Sequence, residues 1–288
     1  MASPQAIKAP ASVRKQSADG LENRAKPVLK WAGGKRALLP ELLARLPEKI
    51  NSYYEPFFGG GALFFAGRFP SAVIGDVNKE LINVYRVIRD HSGRLLKELE
   101  KHPYEKEHFY RVRAQAPSAL SAIRRAARFI YLNKTCFNGL YRVNSRGEFN
   151  VPFGAYKNPR IRDPETIREA SARLRGVTLQ EGGYRETTAS AQAGDFVYFD
   201  PPYEPVSATS RFVSYSRDGF TSEDQADLAY AFRELDARGV RCLLSNSSAP
   251  LIRKLYRGFK IETVYAPRSV NSSASGRGKV AETLIRNY

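Results

Sequence analysis

A turn within residues 195–205, DFVYFDPPYEP, carries the residues with the clearest chemical potential. Apolar and aromatic residues run into Asp200, and Pro201 and Pro202 stop the chain immediately afterwards. The run predicts a buried strand that ends in a carboxylate on rigid backbone, because proline fixes φ at about −65° and removes the amide hydrogen. Ligand sites of α/β sheets lie at the carboxyl ends of strands, so the pattern favours a site over a rigid loop.

A glycine-rich turn offers a second part of the site. The segment EPFFGGGALFF follows a predicted strand, and Asp76, seventeen residues beyond Gly59, ends the next one. Glycine lets backbone approach a ligand closely, and an acid in that place accepts hydrogen bonds from ribose hydroxyls. Neither G-x-G-x-x-G nor a Walker lysine is present. The turn therefore favours a ligand with a ribose and no pyrophosphate, such as S-adenosylmethionine, although a plain tight turn stays open.

Trp31 and Lys35 stand in LKWAGGKRALLPEL, ahead of a predicted helix. The tryptophan offers an aromatic wall, and a lysine behind two glycines at a helix start offers an anion site. Both suit the carboxylate and the sulfonium of S-adenosylmethionine. Taken alone, the two residues are more typical of a buried tryptophan and a surface lysine.

The acceptors at residues 200–203 fit the exocyclic amine of adenine. Its lone pair is delocalised into the ring, and two acceptors at fixed angles can draw the amino hydrogens out of the ring plane. We expect the Asp200 carboxylate and the Pro201 carbonyl to be those acceptors, with Pro202 stiffening the turn and Tyr203 stacking on the base. Attack on a sulfonium methyl is then a direct displacement that depends mainly on orientation.

The charge of the chain favours a polyanionic partner, and nucleic acid comes first. The formal net charge is +17 over 288 residues, with a pI near 9.9. Residues 110–162 hold eleven Lys or Arg and one acid, Glu148. A solvated face normally mixes the two signs, so this segment is expected to touch phosphates. A protein that is basic without such a partner is the alternative.

The elements that position these residues predict an interrupted α/β fold. Strands in NSYYEPFF and SAVIGD with a following helix make a βαβ opening, and helices and strands alternate again after residue 166. The prediction is a Rossmann-like S-adenosylmethionine-dependent methyltransferase sheet with an inserted helical and β-hairpin DNA-recognition domain. Residues 27–86 and 166–288 form the catalytic domain, 87–165 the insertion and 1–26 a disordered basic tail.

The insertion suits a duplex whose target base is flipped out, since a stacked base cannot present its edge to the site. PSALSAIRRAARFIYL predicts a helix, and LYRVNSRGEFNVPF predicts a hairpin, which fits a major groove. On the hairpin, Arg142 suits a guanine edge and Asn144 an adenine edge. Phe137 or Tyr141 could wedge into the base stack. Phosphate contact or core packing stays open for each of them.

The remaining residue types point away from other classes. Cys136 and Cys242 form no disulfide framework or metal pattern, and we interpret the three histidines as surface residues. No apolar run reaches the roughly 18 residues of a membrane span. Residues 1–26 lack the apolar core of a secretory signal, and a transit peptide is a less favoured alternative to a tail. We expect a cytoplasmic monomer, bacterial or phage-encoded and nucleoid-associated, without a metal.

Five segments together resemble the Dam-like adenine-N6 DNA methyltransferases of the D12 class. KWAGGK, EPFFGGGALFF, NGLYRVNSRGEFNVPFG, DPPY and LLSN occur in this order, and the likeness covers Pro27 to Tyr288. It implies S-adenosylmethionine as cofactor, contacted by Trp31, Lys35, Asp76 and Asp200. It implies that the DPPY tetrad is catalytic. The hairpin RGEFNVPFG is similar to that of members that methylate adenine in GATC.

The resemblance also implies a set of DNA contacts. Lys30 resembles the residue that reads the first guanine, and Arg142 the one that reads the guanine opposite the final cytosine. Leu140 and Pro152 resemble residues that pack on the thymine. Tyr156 falls where a second base contact is made.

Phe137 sits where relatives often carry a tyrosine that inserts into the base stack. The phenylalanine keeps the stacking ring and lacks the hydroxyl. Residues 1–26 match nothing in the family pattern.

The sequence therefore predicts a site-specific DNA adenine-N6 methyltransferase, acting on GATC. An N4-cytosine enzyme uses the same chemistry but usually has Ser before Pro-Pro, where this chain has Asp200. A C5-cytosine enzyme needs a cysteine nucleophile in a Pro-Cys setting, and Cys136 and Cys242 follow Thr135 and Arg241. A DNA-binding regulator without activity is the alternative from another class.

Overall fold

The computed structural model describes residues 25–206, 220–267 and 279–288, and among them seven strands form one mixed sheet. The strands are β1 (Tyr53–Glu55), β2 (Ala72–Asp76), β3 (Thr178–Glu181), β4 (Phe196–Phe199), β5 (Arg241–Ser247), β6 (Lys260–Pro267) and β7 (Lys279–Arg286). Their order is β3-β2-β1-β4-β5-β7-β6. The first five run parallel, and β7 is antiparallel to both β5 and β6. A mixed α/β sheet of this kind is consistent with the predicted Rossmann-like fold.

Helices connect these strands in the alternation that the sequence predicts. They are α1 (Leu39–Ala44), α2 (Ala62–Ala66), α3 (Lys79–Leu99), α4 (Lys106–Ala114), α5 (Ala122–Thr135), α6 (Pro164–Leu174), α7 (Tyr184–Thr188), α8 (Ser222–Ala237) and α9 (Pro250–Leu255). None of the helices in the described residues is both long and apolar enough to cross a membrane. Of the predicted tail, residues 1–26, positions 1–24 lie outside the described residues.

The strand register brings three chain segments to one edge of the sheet. Tyr53 of β1 pairs with Ala72 of β2 on one side and with Phe196 of β4 on the other. Every residue of β4 is buried, as expected for a central parallel strand covered on both faces. The carboxyl ends of β1, β2 and β4 are therefore neighbours, and each is followed by a segment that carries predicted site residues.

Helix α3 runs straight through the first predicted domain boundary. Its start is set by Asn78, whose side chain accepts hydrogen bonds from the amides of Glu80 and Leu81, both at 3.1 Å. The helix then continues from residue 79 to 99, and α6 likewise crosses residues 165 and 166. The division into 27–86, 87–165 and 166–288 stays a prediction, and both of its boundaries fall inside helices.

Helix α5 belongs to two hydrophobic cores. Ala127 and Ile130, both fully buried, pack in the main core beside the sheet. Tyr131 and Leu132 face the other way into a smaller core. The apolar partners in that smaller core come from α4, the end of α5 and the hairpin: Phe109, Val112, Cys136, Phe149 and Val151. The inserted segment therefore has its own core and is fastened to the sheet through a shared helix.

The predicted hairpin is present as a narrow antiparallel pair rather than two regular strands. Val143 bridges to Phe149. The amide of Asn144 donates to the Glu148 carbonyl at 2.9 Å, and the amide of Asn150 donates to the carbonyl of Arg142 at 3.1 Å. The turn residues at 144–147 are those that the sequence predicts.

The prediction that the three histidines lie at the surface is wrong for two of them. His91 is exposed, but His102 and His108 are half-buried, with Nδ1 of His102 2.9 Å from Nε2 of His108. The His102 ring stacks on Tyr131. Burial lowers the pKa of His102 to about 4, so the pair is neutral and serves the smaller core.

Candidate active site and nucleic-acid interface

Asp200 lies at the carboxyl end of β4 and meets Lys35 across the site. The Lys35 ammonium is 2.8 Å from Oδ1 of Asp200 and also donates to the Gly33 carbonyl at 2.7 Å. It lies 4.6 Å from the ring centroid of Tyr203, whose hydroxyl donates to the Glu282 carboxylate at 2.6 Å. Lys35 is only 7% exposed, so its interpretation as a surface lysine is wrong. The predicted catalytic acid, cofactor lysine and stacking ring thus form one cluster.

The Asp200 carboxyl titrates close to neutrality. Burial raises its pKa to about 6, and the opposite charge of Lys35 acts against that rise. Glu55, at the end of β1, is also buried and accepts a hydrogen bond from the Tyr53 hydroxyl at 2.7 Å. Burial, with a smaller contribution from the charge of Asp200, raises the pKa of Glu55. At neutral pH, Asp200 is therefore mainly ionised and able to accept hydrogen bonds.

A buried amide pair holds the backbone after Asp200. Nε2 of Gln225 donates to the Pro202 carbonyl at 2.8 Å, and Nδ2 of Asn246 donates to Oε1 of Gln225 at 3.0 Å. Oδ1 of Asn246 accepts from the Glu204 amide at 3.1 Å. The Pro201 carbonyl has no hydrogen-bond donor within residues 25–206, 220–267 and 279–288, so it is free to serve as the second acceptor.

The glycine turn is built around Asp76. The amide of Gly59 donates to Oδ2 of Asp76 at 3.0 Å, and the Asn78 amide donates to Oδ1 at 2.9 Å. Burial raises the pKa of Asp76, and these two hydrogen bonds act against the rise. Gly59 has a φ of 48°, and a Cβ there would lie 2.5 Å from Cδ1 of Trp31. Glycine is therefore required both by the turn and by the approach of the tryptophan ring.

Trp31 connects this turn to the inserted segment. Its ring stacks on Tyr141 with centroids 5.9 Å apart and on Phe129 at 6.4 Å. The ring is half-buried and packs against the main core. Its position is therefore compatible with both predictions for Trp31, a tryptophan packed in the core and an aromatic wall of the site. Asp76, Gly59 and Trp31 form one continuous surface.

The donor set along this edge fits an amino-acid nucleoside such as S-adenosylmethionine. A half-buried acid, Asp76, stands where ribose hydroxyls would donate, and the glycine turn leaves its backbone uncovered by a side chain. A lysine and an acid of opposite charge stand at the neighbouring strand end. Within the described residues, no group of three or more His, Cys, Asp or Glu could hold a metal ion.

Four further residues at this site carry no role in the sequence prediction. Three of them bond to the DPPY tetrad or the residue after it: Gln225 to the Pro202 carbonyl, Asn246 to the Glu204 amide and Glu282 to the Tyr203 hydroxyl. Among these three, only Asn246 lies in a sequence motif, LLSN. Val77 follows Asp76 and is 75% exposed, so it offers an apolar surface beside the acid. The one sequence signal for Val77 is its place as an apolar residue directly after a strand-end acid.

The segment after α5 presents one aromatic ring to solvent. Asn138 and Gly139 have φ values of 55° and 66°, so the 3₁₀ turn Phe137–Gly139, called here the recognition turn, folds back sharply. Phe137 is 51% exposed, and its amide donates to the Pro152 carbonyl at 2.9 Å. Of the two candidate wedges, Phe137 is the one that reaches solvent, since Tyr141 stacks on Trp31 and Phe129.

Lys30 and Tyr156 lie together beside the recognition turn. The Lys30 ammonium is 4.1 Å from the centroid of the Tyr156 ring. The Tyr156 hydroxyl donates to the Cys136 carbonyl at 2.8 Å, which fixes the ring. Leu140 follows the turn and is half-buried against the smaller core. The structure thus brings together Lys30, Phe137, Leu140, Pro152 and Tyr156.

Arg142 and Asn144 lie on the hairpin, and their side chains differ in freedom. Arg142 is exposed, and its Nε donates to Oδ1 of Asn150 at 2.8 Å. Oδ1 of Asn144 accepts from the amides of Arg146 and Glu148, both at 3.0 Å, and its Nδ2 donates to the Glu148 carboxylate. The predicted base contact of Asn144 stays a prediction, because within the hairpin its amide stabilises the turn.

The basic segment is less available to phosphates than its composition indicates. Arg128 is 8% exposed and donates to two carbonyls of α4, and Arg125 donates to the Glu80 carboxylate. Arg162 pairs with Glu100 at 2.7 Å. Arg111 and Lys157 are exposed and have no ion-pair partner in the described part of the chain.

Comparison with known proteins shows which family the chain resembles over most of its length. A model of the D12 class N6 adenine-specific DNA methyltransferases matches residues 31–270. The chain is 46% identical over 271 residues to the Type II methyltransferase M1.LlaDCHI of Lactococcus lactis subsp. cremoris, with 91% of this chain and 95% of that protein covered. It is 36% identical over 267 residues to the DNA adenine methylase of Escherichia coli (strain K12), with 91% and 95% covered.

The pairing of Asp200 with Lys35 gives a testable titration. In protein with ¹³C-labelled aspartate, we expect one side-chain signal, absent in Asp200→Asn, to titrate with a midpoint near pH 6. Lys35→Met removes the charge that holds this pKa down, so the midpoint should rise. Arg36→Met, at the next and exposed position, is the control and should leave it unchanged. An unshifted midpoint in Lys35→Met would contradict the electrostatic coupling.

Proposed function

The chain belongs to the D12 class of N6 adenine-specific DNA methyltransferases, and on that premise we propose that it methylates the adenine of GATC in double-stranded DNA. The family makes the protein an enzyme and its reaction N6 methylation of DNA adenine, which sets aside the N4-cytosine and inactive-regulator alternatives. Both cysteines are buried, and burial raises the pKa of the Cys136 thiol to about 11, so neither suits a C5-cytosine nucleophile. The observation that carries the proposal is Asp200 of DPPY, which lies at the carboxyl end of β4 and pairs with the buried Lys35 at 2.8 Å.

S-adenosylmethionine, when bound, supplies a methyl group on a positively charged sulfur. We assign Trp31, Lys35, Gly59, Asp76 and Asp200 to hold it. The ribose hydroxyls would donate to the carboxylate of Asp76, which Gly59 already orients. Lys35 would receive the amino-acid carboxylate. Trp31 would line the site, and Val77 would add apolar surface beside the ribose acid.

Asp200 and the Pro201 carbonyl then accept hydrogen bonds from the two N–H groups of the adenine amine. Ionised Asp200 accepts a hydrogen bond from one N–H, and the Pro201 carbonyl, which has no donor among the described residues, accepts one from the other. The Gln225 bond to the Pro202 carbonyl keeps both acceptors in place. Tyr203, anchored through its hydroxyl to Glu282, offers its ring to the base. These groups orient the amine for in-line attack, in which the bond from nitrogen to the methyl carbon would form as the bond from that carbon to sulfur breaks. The neutral thioether would leave, and the nitrogen would lose its surplus proton to water, with no covalent intermediate on the protein.

The adenine reaches that pocket by leaving the duplex, and the recognition turn supports this step. Phe137 is exposed at the tip of a turn that two left-handed residues sharpen. We assign it to enter the space that the flipped base vacates, since an apolar wedge stabilises an unstacked step. The lost tyrosine hydroxyl is not needed for stacking.

Sequence choice is assigned to residues on either side of that turn. Lys30 reads the first guanine, and Arg142, exposed on the hairpin, reads the guanine opposite the final cytosine. Leu140 and Pro152 pack on the thymine, Tyr156 makes a further base contact, and Asn144 orders the hairpin and borders an adenine edge. We propose a monomer as the acting unit.

Sequencing the DNA of a methylation-deficient host that expresses the protein tests the proposed site directly. A method that detects N6-methyladenine should find it at the adenine of GATC on both strands. Methylation at another motif would refute GATC and leave the reaction class intact. Methylated cytosine in place of adenine would refute the reaction.

The Asp200→Ala variant tests the catalytic assignment. We expect a loss of methyl transfer by at least about 100-fold, because one of two acceptors for the amine is removed. DNA affinity by fluorescence anisotropy should change little. Asp227→Ala, at an exposed aspartate of α8, is the matched control and should keep its activity. Near-normal turnover in Asp200→Ala would refute the role.

The Arg142→Ala variant tests base recognition by the hairpin. We expect a loss of discrimination worth about 1–3 kcal/mol at one base pair of the site, measured as kcat/KM on duplexes with single substitutions. Arg146→Ala removes an arginine of the same hairpin that already pairs with Glu148 at 3.0 Å, and should not relax any single position. A uniform loss on all duplexes would make Arg142 a phosphate contact.

A further inference from the structure

The carboxamide of Asn133 joins two segments that are distant in the sequence. Its Nδ2 donates to the carbonyl of Lys30 at 2.7 Å and to the carbonyl of Gly139 at 2.9 Å. Its Oδ1 accepts from the Lys30 amide at 2.9 Å. The side chain is 1% exposed. Both amide hydrogens and the oxygen are therefore used between residues 30 and 139, at the junction of the sheet with the inserted segment.

The side chain of Lys30 is held by the same inserted segment. Gly139 lies against its stem, since a Cβ there would be 2.4 Å from Cδ and 2.7 Å from Cβ of Lys30. Its ammonium stands over the ring of Tyr156. Lys30 is thus fixed at its main chain by Asn133, along its stem by Gly139 and at its head by Tyr156.

We propose that Asn133 is a positioning residue for base recognition: its carboxamide sets the place of Lys30 relative to the recognition turn. The proposal rests on the proposed function, because Lys30 affects sequence choice only if it contacts a base. Recognition by a side chain requires placement to within about 0.5 Å, which flexible backbone does not provide. A buried carboxamide with three bonds to backbone does provide it, because the loop and the turn then cannot shift independently.

The same link gives DNA a route to the cofactor loop, residues 30–35. Trp31 directly follows Lys30 and is the single tryptophan of the chain. A duplex that engages the recognition turn displaces groups bonded to Asn133, and through them the backbone next to Trp31. Trp31 fluorescence therefore reports the coupling without any methyl transfer.

The Asn133→Asp variant tests the proposal, with Thr135→Val as matched control. The aspartate has the same size and keeps the acceptor for the Lys30 amide, but it sets a carboxylate against two carbonyl oxygens. Thr135 lies on the same helix, is equally buried, and donates only to the Tyr131 carbonyl at 2.6 Å. Its substitution removes a buried hydrogen bond without touching the link.

The main readout is kcat/KM on the methylated duplex and on duplexes that each carry one substituted base pair. In Asn133→Asp we expect discrimination to fall roughly tenfold at one base pair, the same one that Lys30→Ala relaxes, and to persist at the others. Thr135→Val should discriminate as the wild-type protein does. Unchanged discrimination in Asn133→Asp, or an equal loss at every position, would overturn the proposal.

The second readout is the emission of Trp31 on adding duplex in the absence of cofactor. Saturating duplex should change the emission of the wild-type protein and of Thr135→Val. In Asn133→Asp the change should be reduced several-fold at saturation, with binding confirmed by anisotropy of a labelled duplex. An undiminished change would overturn the coupling.

Gly139→Ala covers the case in which Asn133→Asp does not fold. It acts from the opposite side of the link, because its methyl group would displace the Lys30 stem, and it should relax the same base pair. Retained discrimination in a folded Gly139→Ala would then overturn the proposal.

If Lys30→Ala itself relaxes no base pair, the assignment of Lys30 under the proposed function fails. If it relaxes one that Asn133→Asp keeps, the role of Asn133 alone fails.

Discussion

An ionised carboxylate is expensive to bury, and the site of this methyltransferase is built around one. Asp200 stands at the end of a fully buried strand, and Lys35 is the charge that offsets the cost at 2.8 Å. Removing one partner of such a pair typically costs about 3–5 kcal/mol, because the other charge is left unpaired. The pair therefore fastens the cofactor loop to the sheet, and it keeps the pKa of Asp200 low enough for the carboxylate to accept hydrogen bonds at neutral pH.

Support for that carboxylate comes from two strands and a helix. Gln225 on α8 and Asn246 on β5 hold the backbone of the DPPY turn, and Glu282 on β7 holds the tyrosine ring. Orientation can supply much of the rate enhancement in a direct displacement, so the proposed acceptors gain from neighbours that restrict their movement. The prolines restrict φ within the tetrad. The buried side-chain amides of Gln225 and Asn246 hold the same backbone from outside the tetrad.

A shared helix also holds the segment that is predicted to face DNA. Helix α5 packs one face into the main core and the other into the smaller core of the insertion. Arginines of this segment also bond within the protein. Arg125 donates to the Glu80 carboxylate, and the buried Arg128 donates to the Val112 carbonyl. Part of the positive charge that marks this segment in the sequence therefore stabilises its packing, and exposed residues such as Arg111 and Lys157 are the ones proposed to contact phosphates.

The sequence by itself determined the family, the chemistry and the order of elements. Strand-end acids, a glycine turn and a proline-stiffened tetrad are local patterns, and local patterns report local structure. Helix α6 and the strands around Asp76 and Asp200 lie where the sequence predicts them. Only the tertiary structure decided which residues touch. That Lys35 is buried against Asp200, that Asn133 links Lys30 to Gly139, and that His102 pairs with His108 depend on contacts between elements. The reason is that burial and charge pairing are properties of packed neighbours, and one sequence without its relatives carries no direct record of them.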